Sequence, residues 1–201
     1  SSVPLVLVAH PSVPVKSVKE LIALAKKRAG KMNVASNGSG TTSHLSIEML
    51  KQFAGVDVTH IPYKGGGPAI TALISGEVDF TFATALAAQP YVKSGRVRAL
   101  AVTTAKKSAA FPNLPTMASL YPGFESDNWY AMFFPAGTPK EIVAKMNAEI
   151  LKALKSPEVH NFMEKEGADP VGSTPEELTA YFKREIDKYA KVIKTGDIKV
   201  E

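Results

Sequence analysis

An apolar run, a loop of small residues and an amphipathic run follow one another three times between residues 32 and 95. The apolar runs cover residues 32–36, 56–61 and 78–82. Short apolar runs bounded by turn residues predict buried strands, and apolar residues at helical spacing predict helices. Strands that alternate with helices indicate a mostly parallel sheet with helices on both faces, an α/β fold.

Flanking elements extend this pattern. Residues 3–9 are apolar and β-branched and predict a buried strand, and residues 97–103 predict another. Ser17 and Glu20 have the spacing of a capping box, which predicts a helix from there to about residue 29. Between residues 106 and 123 the pattern dissolves into prolines and small residues.

The C-terminal third is predicted to be mainly helical. An aromatic run at residues 124–134 predicts a long strand, and Thr138 and Thr174 each precede a proline and a glutamate at capping-box spacing. The predicted helices cover residues 138–155, 157–166 and 174–194. Only a short strand candidate at residues 169–171 accompanies them, so we expect these helices to need a partner surface.

Composition removes several function classes. The net charge is +5, but lysines outnumber arginines twenty to four. Because nucleic-acid sites favour arginine clusters, no nucleic-acid partner is expected. The chain has no cysteine, which excludes disulfides, thiolate metal sites and a cysteine nucleophile. Its four histidines show no metal-ligand spacing, so no metal or other cofactor is expected.

The loop at residues 38–42 predicts an anion-binding site. It follows a predicted strand and opens a predicted helix, whose first turn carries unpaired backbone N–H groups and a partial positive charge. Glycines allow close approach to a ligand, and Ser39, Thr41 and Thr42 add hydroxyl groups. A carboxylate or a phosphate would suit such a site. A tight turn that only joins strand to helix is the alternative.

Three known motifs do not fit this loop. A dinucleotide fingerprint would need a third glycine where Ser43 stands. A P-loop would end in Gly-Lys followed by Ser or Thr, and a nucleophile elbow would need glycines in place of Asn37 and Thr41.

Further polar residues fall at the same predicted sheet edge. Tyr63, Lys64, Gly65 and Gly66 follow the second strand and predict a second anion concavity, with a flexible loop as the alternative. Thr84 follows the third strand, and His44 lies one turn into the helix after the first loop. Ligands of such sheets bind beyond the carboxyl ends of the strands.

Asp127 and Asn128 form a polar break within the aromatic run. Such a break is expected either to face a cleft or to mark a bulge or an exposed face.

Six motifs occur in one order along nearly the whole chain and together are highly specific. In that order they are Ser36-x-Gly-x-Gly-Thr-x-x-His44-Leu45, Pro62-Tyr-Lys-Gly-Gly-Gly-Pro-Ala69, Gly76-x-Val-Asp79, Arg98-Ala-Leu-Ala-Val102, Leu114-Pro-Thr116 and Pro135-Ala-Gly-Thr-Pro-Lys140. The set resembles the Bug receptors, the extracytoplasmic solute-binding proteins of tripartite tricarboxylate transporters.

The resemblance implies a type II periplasmic-binding-protein fold, in which two α/β lobes joined by crossing strands enclose a solute. Residues 1–10 would cross into the second lobe, 11–123 would form that lobe with its ligand loops, 124–135 would cross back, and 136–201 would supply helices of the first lobe. Family members begin with an N-terminal segment that forms most of the first-lobe sheet. This sequence contains none of it, so a partial first lobe is expected.

The resemblance also implies a function without catalysis. The implied ligand-binding residues are Ser39, Gly40, Thr41, Thr42, His44, Tyr63, Lys64, Gly65, Gly66, Thr84, Asp127 and Asn128. The implied partners are a small organic carboxylate (a di- or tricarboxylate, an amino acid or an aromatic acid) and the membrane components of the transporter. The implied location is the periplasm, although the chain begins Ser-Ser-Val-Pro without a signal peptide.

Two other classes stay open at this stage. A phosphate- or carboxylate-handling enzyme would use the loop at 38–42, but no base, nucleophile or metal set accompanies that loop. An oligomerising fragment would bury its C-terminal helices against another chain.

Overall fold

A computed structural model describes residues 1–165 and 167–198. Its strands are β1 (Ser2–Ala9), β2 (Asn33–Ser36), β3 (Thr59–Pro62), β4 (Phe80–Thr84), β5 (Arg98–Val102) and β6 (Asp127–Trp129). Its helices are α1 (Val18–Lys27), α2 (Thr42–Ala54), α3 (Gly66–Ser75), α4 (Ala85–Lys93), α5 (Met117–Leu120), α6 (Lys140–Leu154), α7 (Pro157–Lys165) and α8 (Pro175–Gly196). The predicted alternation of strands and helices between residues 32 and 95 is confirmed.

The sheet is mixed, with strand order β3-β2-β4-β1-β5. β2 pairs in parallel with β3 and with β4. β1 is antiparallel to β4 on one side and to β5 on the other, so β4 and β5 run in the same direction with β1 reversed between them. The first three residues of β1 also pair with β6. The predicted α/β fold is therefore confirmed, and its one central strand against the common direction comes from the N-terminal run.

Alternation along β1 builds a core on each face of the sheet. Leu5 and Leu7 are fully buried in a cluster with residues of α1 and α2. Val6 and Val8 point the other way and are buried with residues of α3 and α4. This period of two follows from the strand geometry. Each such side chain stabilises the fold by about 1.5–3 kcal/mol relative to exposure.

Helix caps match the sequence in part. The Ser17 hydroxyl accepts from the Glu20 amide, but Glu20 reaches the Lys16 amide instead of completing the box. The capping box of Thr174 and Glu177 is complete. The cap predicted at Thr138 is wrong. The Thr138 hydroxyl donates to the Pro135 carbonyl (2.9 Å), and α6 begins later, at Lys140.

Strand lengths also depart from the sequence patterns. The strand predicted at residues 124–134 is wrong beyond its centre, because β6 has only the first residues of β1 as a partner. Its continuation leaves Tyr130 and Phe133 each 64 % exposed. β3 occupies 59–62 rather than 56–61. The candidate at 169–171 is reduced to one bridge, between Asp169 and Ser2.

The C-terminal helices, α6 to α8, are packed much less than the others. Helices α6 and α7 bury none of their residues, and α8 buries only Glu185 and Val192. α8 contacts α2, where the Gln52 amide donates to the Val192 carbonyl (3.2 Å). Across the part of the chain that the structure describes, no helix combines the length and the apolar character that crossing a bilayer requires.

Candidate functional site

Three helices begin at one edge of the sheet. β2, β3 and β4 are parallel neighbours that end at Ser36, Pro62 and Thr84, and each is followed by its own helix. The N-termini of α2, α3 and α4 therefore open on the same side of the molecule. This is the edge at which parallel sheets bind ligands.

Two glycines shape the first loop. Gly38 has φ +133° and Gly40 has φ +75°, a region that residues with side chains rarely adopt. A Cβ atom at Gly38 would also lie only 3.3 Å from the Tyr63 carbonyl oxygen. The loop can therefore lie close against the segment that follows β3.

The starts of α2 and α3 have no side-chain cap. Thr41 is the N-cap of α2, but its hydroxyl donates to the Gly38 carbonyl (2.7 Å) instead of accepting from the helix. The N-cap of α3 is Gly65, which has no side chain to offer. In contrast, the Thr84 hydroxyl caps α4 by accepting from the Ala87 amide (3.3 Å). First-turn N–H groups of α2 and α3 are thus left for another acceptor.

The two uncapped starts are fixed side by side. The Gly65 amide donates to the Asn37 carbonyl (3.0 Å), and the Tyr63 amide donates to the Ser36 carbonyl (3.0 Å). A Cβ atom at Gly66 would meet the Asn37 side chain at 3.6 Å. Two partly positive helix ends therefore converge, and an anion between them would be attracted by both.

A pair of imidazoles lies under the first loop. The Gly40 amide donates to His44 Nδ1 (3.1 Å), so in this form it is not directed at a ligand. The His44 and His60 rings stack with centroids 3.9 Å apart. Burial lowers the pKa of both, and for His60 burial, then His44 and Lys51, lower the pKa to about 4. Both rings are therefore neutral at physiological pH.

A cavity of about 620 Å³ opens beside the start of α2. Its lining combines Thr42, Asp127 and Asn128 with Trp129 and residues of α8, among them Tyr189. Asp127 is buried and accepts from the Ser2 hydroxyl. Burial, and next the charge of Asp127, raise the pKa of Asp169 nearby. The β6 side of the cavity is consequently negative.

The predicted site residues fall into two groups, one at the cavity and one at the sheet edge. Thr42, Asp127 and Asn128 line the cavity, whereas the loop residues line the sheet edge. The loop residues are Ser39, Gly40, Thr41, His44, Tyr63, Lys64, Gly65, Gly66 and Thr84. Their part in binding stays a prediction.

Three of the loop residues are less favourably placed for a ligand. Ser39 and Lys64 are exposed. The Tyr63 hydroxyl donates to Glu77 (2.7 Å), and desolvation together with this bond raises the pKa of Tyr63 to about 12.

Sequence reasoning left several residues that support the loop out of the predicted site. The Ser43 hydroxyl accepts from the Asn37 amide (2.8 Å), and Ser36 Oγ lies 2.6 Å from His60 Nε2. Ser36 and Ser43 flank the glycines in sequence and could have been found. His60 could not, because its contact depends on β3 lying beside β2. Among residues 1–165 and 167–198, no group of three or more His, Asp or Glu side chains is arranged to hold a metal ion.

Comparisons with known proteins identify the family of this chain. Residues 1–198 match the family described as "Tripartite tricarboxylate transporter family receptor". Protein BugT of Bordetella pertussis is 36% identical over 200 residues, which are 99% of this chain and 61% of BugT. The chain thus spans about three fifths of that relative's length.

Solved structures are similar over nearly the whole chain. Rpa4515 of R. palustris, solved with adipate, has a TM-score of 0.87 at 36% identity, covering 98% of this chain and 67% of that one. MatC of Rhodopseudomonas palustris, solved with bound malate, has a TM-score of 0.78 at 31% identity, covering 96% and 67%. The chain belongs to the tripartite tricarboxylate transporter receptor family.

Proposed function

We propose that this chain captures a small organic carboxylate as a receptor of a tripartite tricarboxylate transporter. The observation that carries the proposal is the pair of uncapped helix starts, α2 and α3, held side by side by the bond from Gly65 to Asn37. A carboxylate between them accepts charge-assisted hydrogen bonds, each contributing about 1.5–3 kcal/mol. Thr42, the first residue of α2, lines the neighbouring cavity.

The relatives support a dicarboxylate in particular. Adipate and malate, the molecules named with two of the similar structures, both carry two carboxylates. Another similar structure is described as the periplasmic binding protein BugD, and we place this chain in the periplasm by the same likeness. The membrane components of the transporter are then its partners.

Charge orients the ligand within the site. Asp127 is a buried residue of the cavity wall, and after burial its charge is the next cause that raises the pKa of Asp169, so a carboxylate placed beside it is repelled. One ligand carboxylate therefore binds at the helix starts, and Asn128 contacts an uncharged part of the ligand. Ordered waters bridge the remaining polar groups at little loss of affinity.

The proposed division of the chain follows the packing. Residues 11–123 form one lobe, residues 1–10 and 124–135 are the two crossing strands, and residues 136–201 belong to the other lobe. The pairing of Ser2–Pro4 with β6 supports the crossing, because it lies outside the pairing of β1 with β4 and β5. The unburied faces of α6 and α7 support their assignment to a lobe with a further layer.

Calorimetry with adipate and malate tests the proposal, using Thr42→Glu as the site variant. The new carboxylate lies in the first turn of α2, where it occupies the anion position and stabilises the helix by about 0.3–1 kcal/mol. We expect at least tenfold weaker binding without loss of thermal stability.

Thr138→Glu is the matched control, because it introduces the same change away from the site, before α6. It should bind as the unchanged protein does. Equal binding by Thr42→Glu and the unchanged protein would contradict the proposed site, and no binding of either dicarboxylate would contradict the proposed ligand class.

Of the alternatives, the enzyme is not favoured, since the family consists of receptors. The interaction fragment is favoured by one observation, the exposure of Tyr130, Met132 and Phe133, each 63–64%. Sedimentation velocity across a range of concentrations distinguishes it. A dimer that forms as concentration rises, in a protein that binds no dicarboxylate, would favour the fragment.

A further inference from the structure

Each glycine of the first loop is linked to a histidine, Gly40 directly and Gly38 through Ser36. The Gly40 amide donates to His44 Nδ1 (3.1 Å). Gly38 bonds through both its amide and its carbonyl to Ser36 Oγ (3.2 Å each), and Ser36 Oγ lies 2.6 Å from His60 Nε2. These are the two loop residues with positive φ, so the imidazoles support the positions at which the backbone turns.

The bond to Gly40 requires a neutral His44. A ring nitrogen accepts a hydrogen bond only when it carries no proton, so Nδ1 is unprotonated and the proton of the neutral ring is on Nε2. A second proton would place an N–H group opposite the Gly40 amide, and one of the two donors would have to turn away. The loop therefore cannot keep this shape around a charged His44.

Stacking couples His60 to His44. The two ring planes are 17° apart with centroids at 3.9 Å, so two charges on the pair would lie in near contact. Burial lowers the pKa of both rings.

The surrounding charges do not offset the lowering of these pKa values by burial. On α2, Glu48 Oε1 lies 3.9 Å from His44 Nε2 but is already paired with Lys51 at 2.9 Å. From β3, His60 stacks on His44, and α8 approaches Glu48 through the backbone of Gly196.

We propose that His44 and His60 are positioning residues that hold the loop at 38–42 in its anion-binding shape only while His44 is neutral. Protonation of His44 in acid then breaks its hydrogen bond with the Gly40 amide and releases the loop. The inference about binding rests on the proposed function, whereas the inference about loop shape does not.

Nuclear magnetic resonance of the ligand-free chain with labelled glycine and histidine tests the loop shape. Between pH 7.5 and pH 4, the Gly40 amide shift should move with the titration of the His44 ring. In His44→Asn the side-chain Oδ1 takes the place of Nδ1 as an acceptor that does not titrate, so the Gly40 signal should stay near its neutral position throughout. In His44→Leu the protection of Gly40 from exchange should fall at least tenfold at pH 7.5.

The control is His160→Asn, the same change at a half-exposed histidine on α7. It should leave the Gly40 signal as in the unchanged chain. A Gly40 shift that does not follow the His44 ring, or normal Gly40 protection in His44→Leu, would overturn the proposal.

Binding supplies the second arm, at pH 7.5 with succinate as the probe. His44→Leu should bind at least tenfold more weakly than His44→Asn, because only the asparagine restores the acceptor for the Gly40 amide. Equal binding by the two variants would overturn the link from loop shape to affinity. Failure of the unchanged protein to bind succinate would count against the proposed ligand, while the Gly40 signal would still decide the loop inference.

Discussion

Helices α1 to α4, which cover the sheet, and the C-terminal helices α6 to α8 have similar amphipathic sequences but differ in how much of their apolar surface is buried. α1 buries Val18, Leu21, Ile22 and Ala25 against the sheet, whereas α6 has the same kind of apolar stripe and buries none of it. The difference lies in the neighbours, since the apolar residues of α1 are buried in one cluster with Leu5 and Leu7 of β1, whereas no residue of α6 is buried in either core. An apolar stripe therefore stabilises a helix mainly where another surface packs against it.

Core truncation should show the largest difference between the two regions. Phe82 on β4 is fully buried beside Phe124, and Phe182 on α8 is 40% exposed. Phe82→Ala should lower the free energy of unfolding by about 3–5 kcal/mol, and Phe182→Ala by about 1 kcal/mol. Urea unfolding followed by circular dichroism measures both. Equal losses would mean that α8 is as tightly packed as the sheet.

Acid should weaken the sheet region more than the helices. The pKa of His60 is lowered from an ordinary 6.5 to about 4, first by burial. As the pH falls through 6.5 the unfolded chain binds a proton that the folded chain does not bind until about pH 4, so stability decreases across this window. Below the folded pKa the loss is complete.

Thermal melts across this window measure the effect. The melting temperature should fall by several degrees from pH 7 to pH 4, and by less in His60→Gln, which removes the titrating ring. His160→Gln on α7 should keep the full decrease, because this ring is half exposed. A pH dependence of the melting temperature in His60→Gln equal to that of the unchanged chain would contradict the attribution of the acid effect to His60.

The smallest effect is expected at the start of α8. Thr174→Ala removes the hydroxyl that accepts from the Glu177 amide (3.1 Å) and should weaken the first turn by about 1 kcal/mol. Hydrogen exchange of that turn measures it. Thr179→Ala, on the same helix, removes a hydroxyl that bonds only to the Pro175 carbonyl, and should be neutral or slightly stabilising. Similar exchange in both variants would show that the cap contributes little here.

Much of the fold could be predicted because its signals are local. The apolar, β-branched run at residues 3–9 predicts a strand, and its side chains contribute to both cores of the sheet. The strand predicted from Phe124 to Phe134 failed where local pattern was insufficient, since a strand also needs a neighbour to accept its hydrogen bonds, and β1 offers only Ser2–Pro4.

The sequence indicated only part of the candidate site, and the part of those residues in binding stays a prediction. Glycines and hydroxyls at 38–42 indicate an anion loop, and the uncapped start of α2 agrees with that prediction. The separation of Asp127 from the loop residues, and the use of the Gly40 amide by His44, were not visible in the sequence. Both depend on side chains that meet across different elements.

The sequence by itself determined the order of strands and helices, the turns that need glycine, and the family. The tertiary structure alone decided that β1 lies reversed between β4 and β5, that His60 stacks on His44, and that α6 and α7 stay unburied. The physical reason is the distance along the chain over which each kind of interaction acts. Periodicity and capping act within a few residues of chain, whereas strand order and ring contacts are set by which distant segments exclude water together.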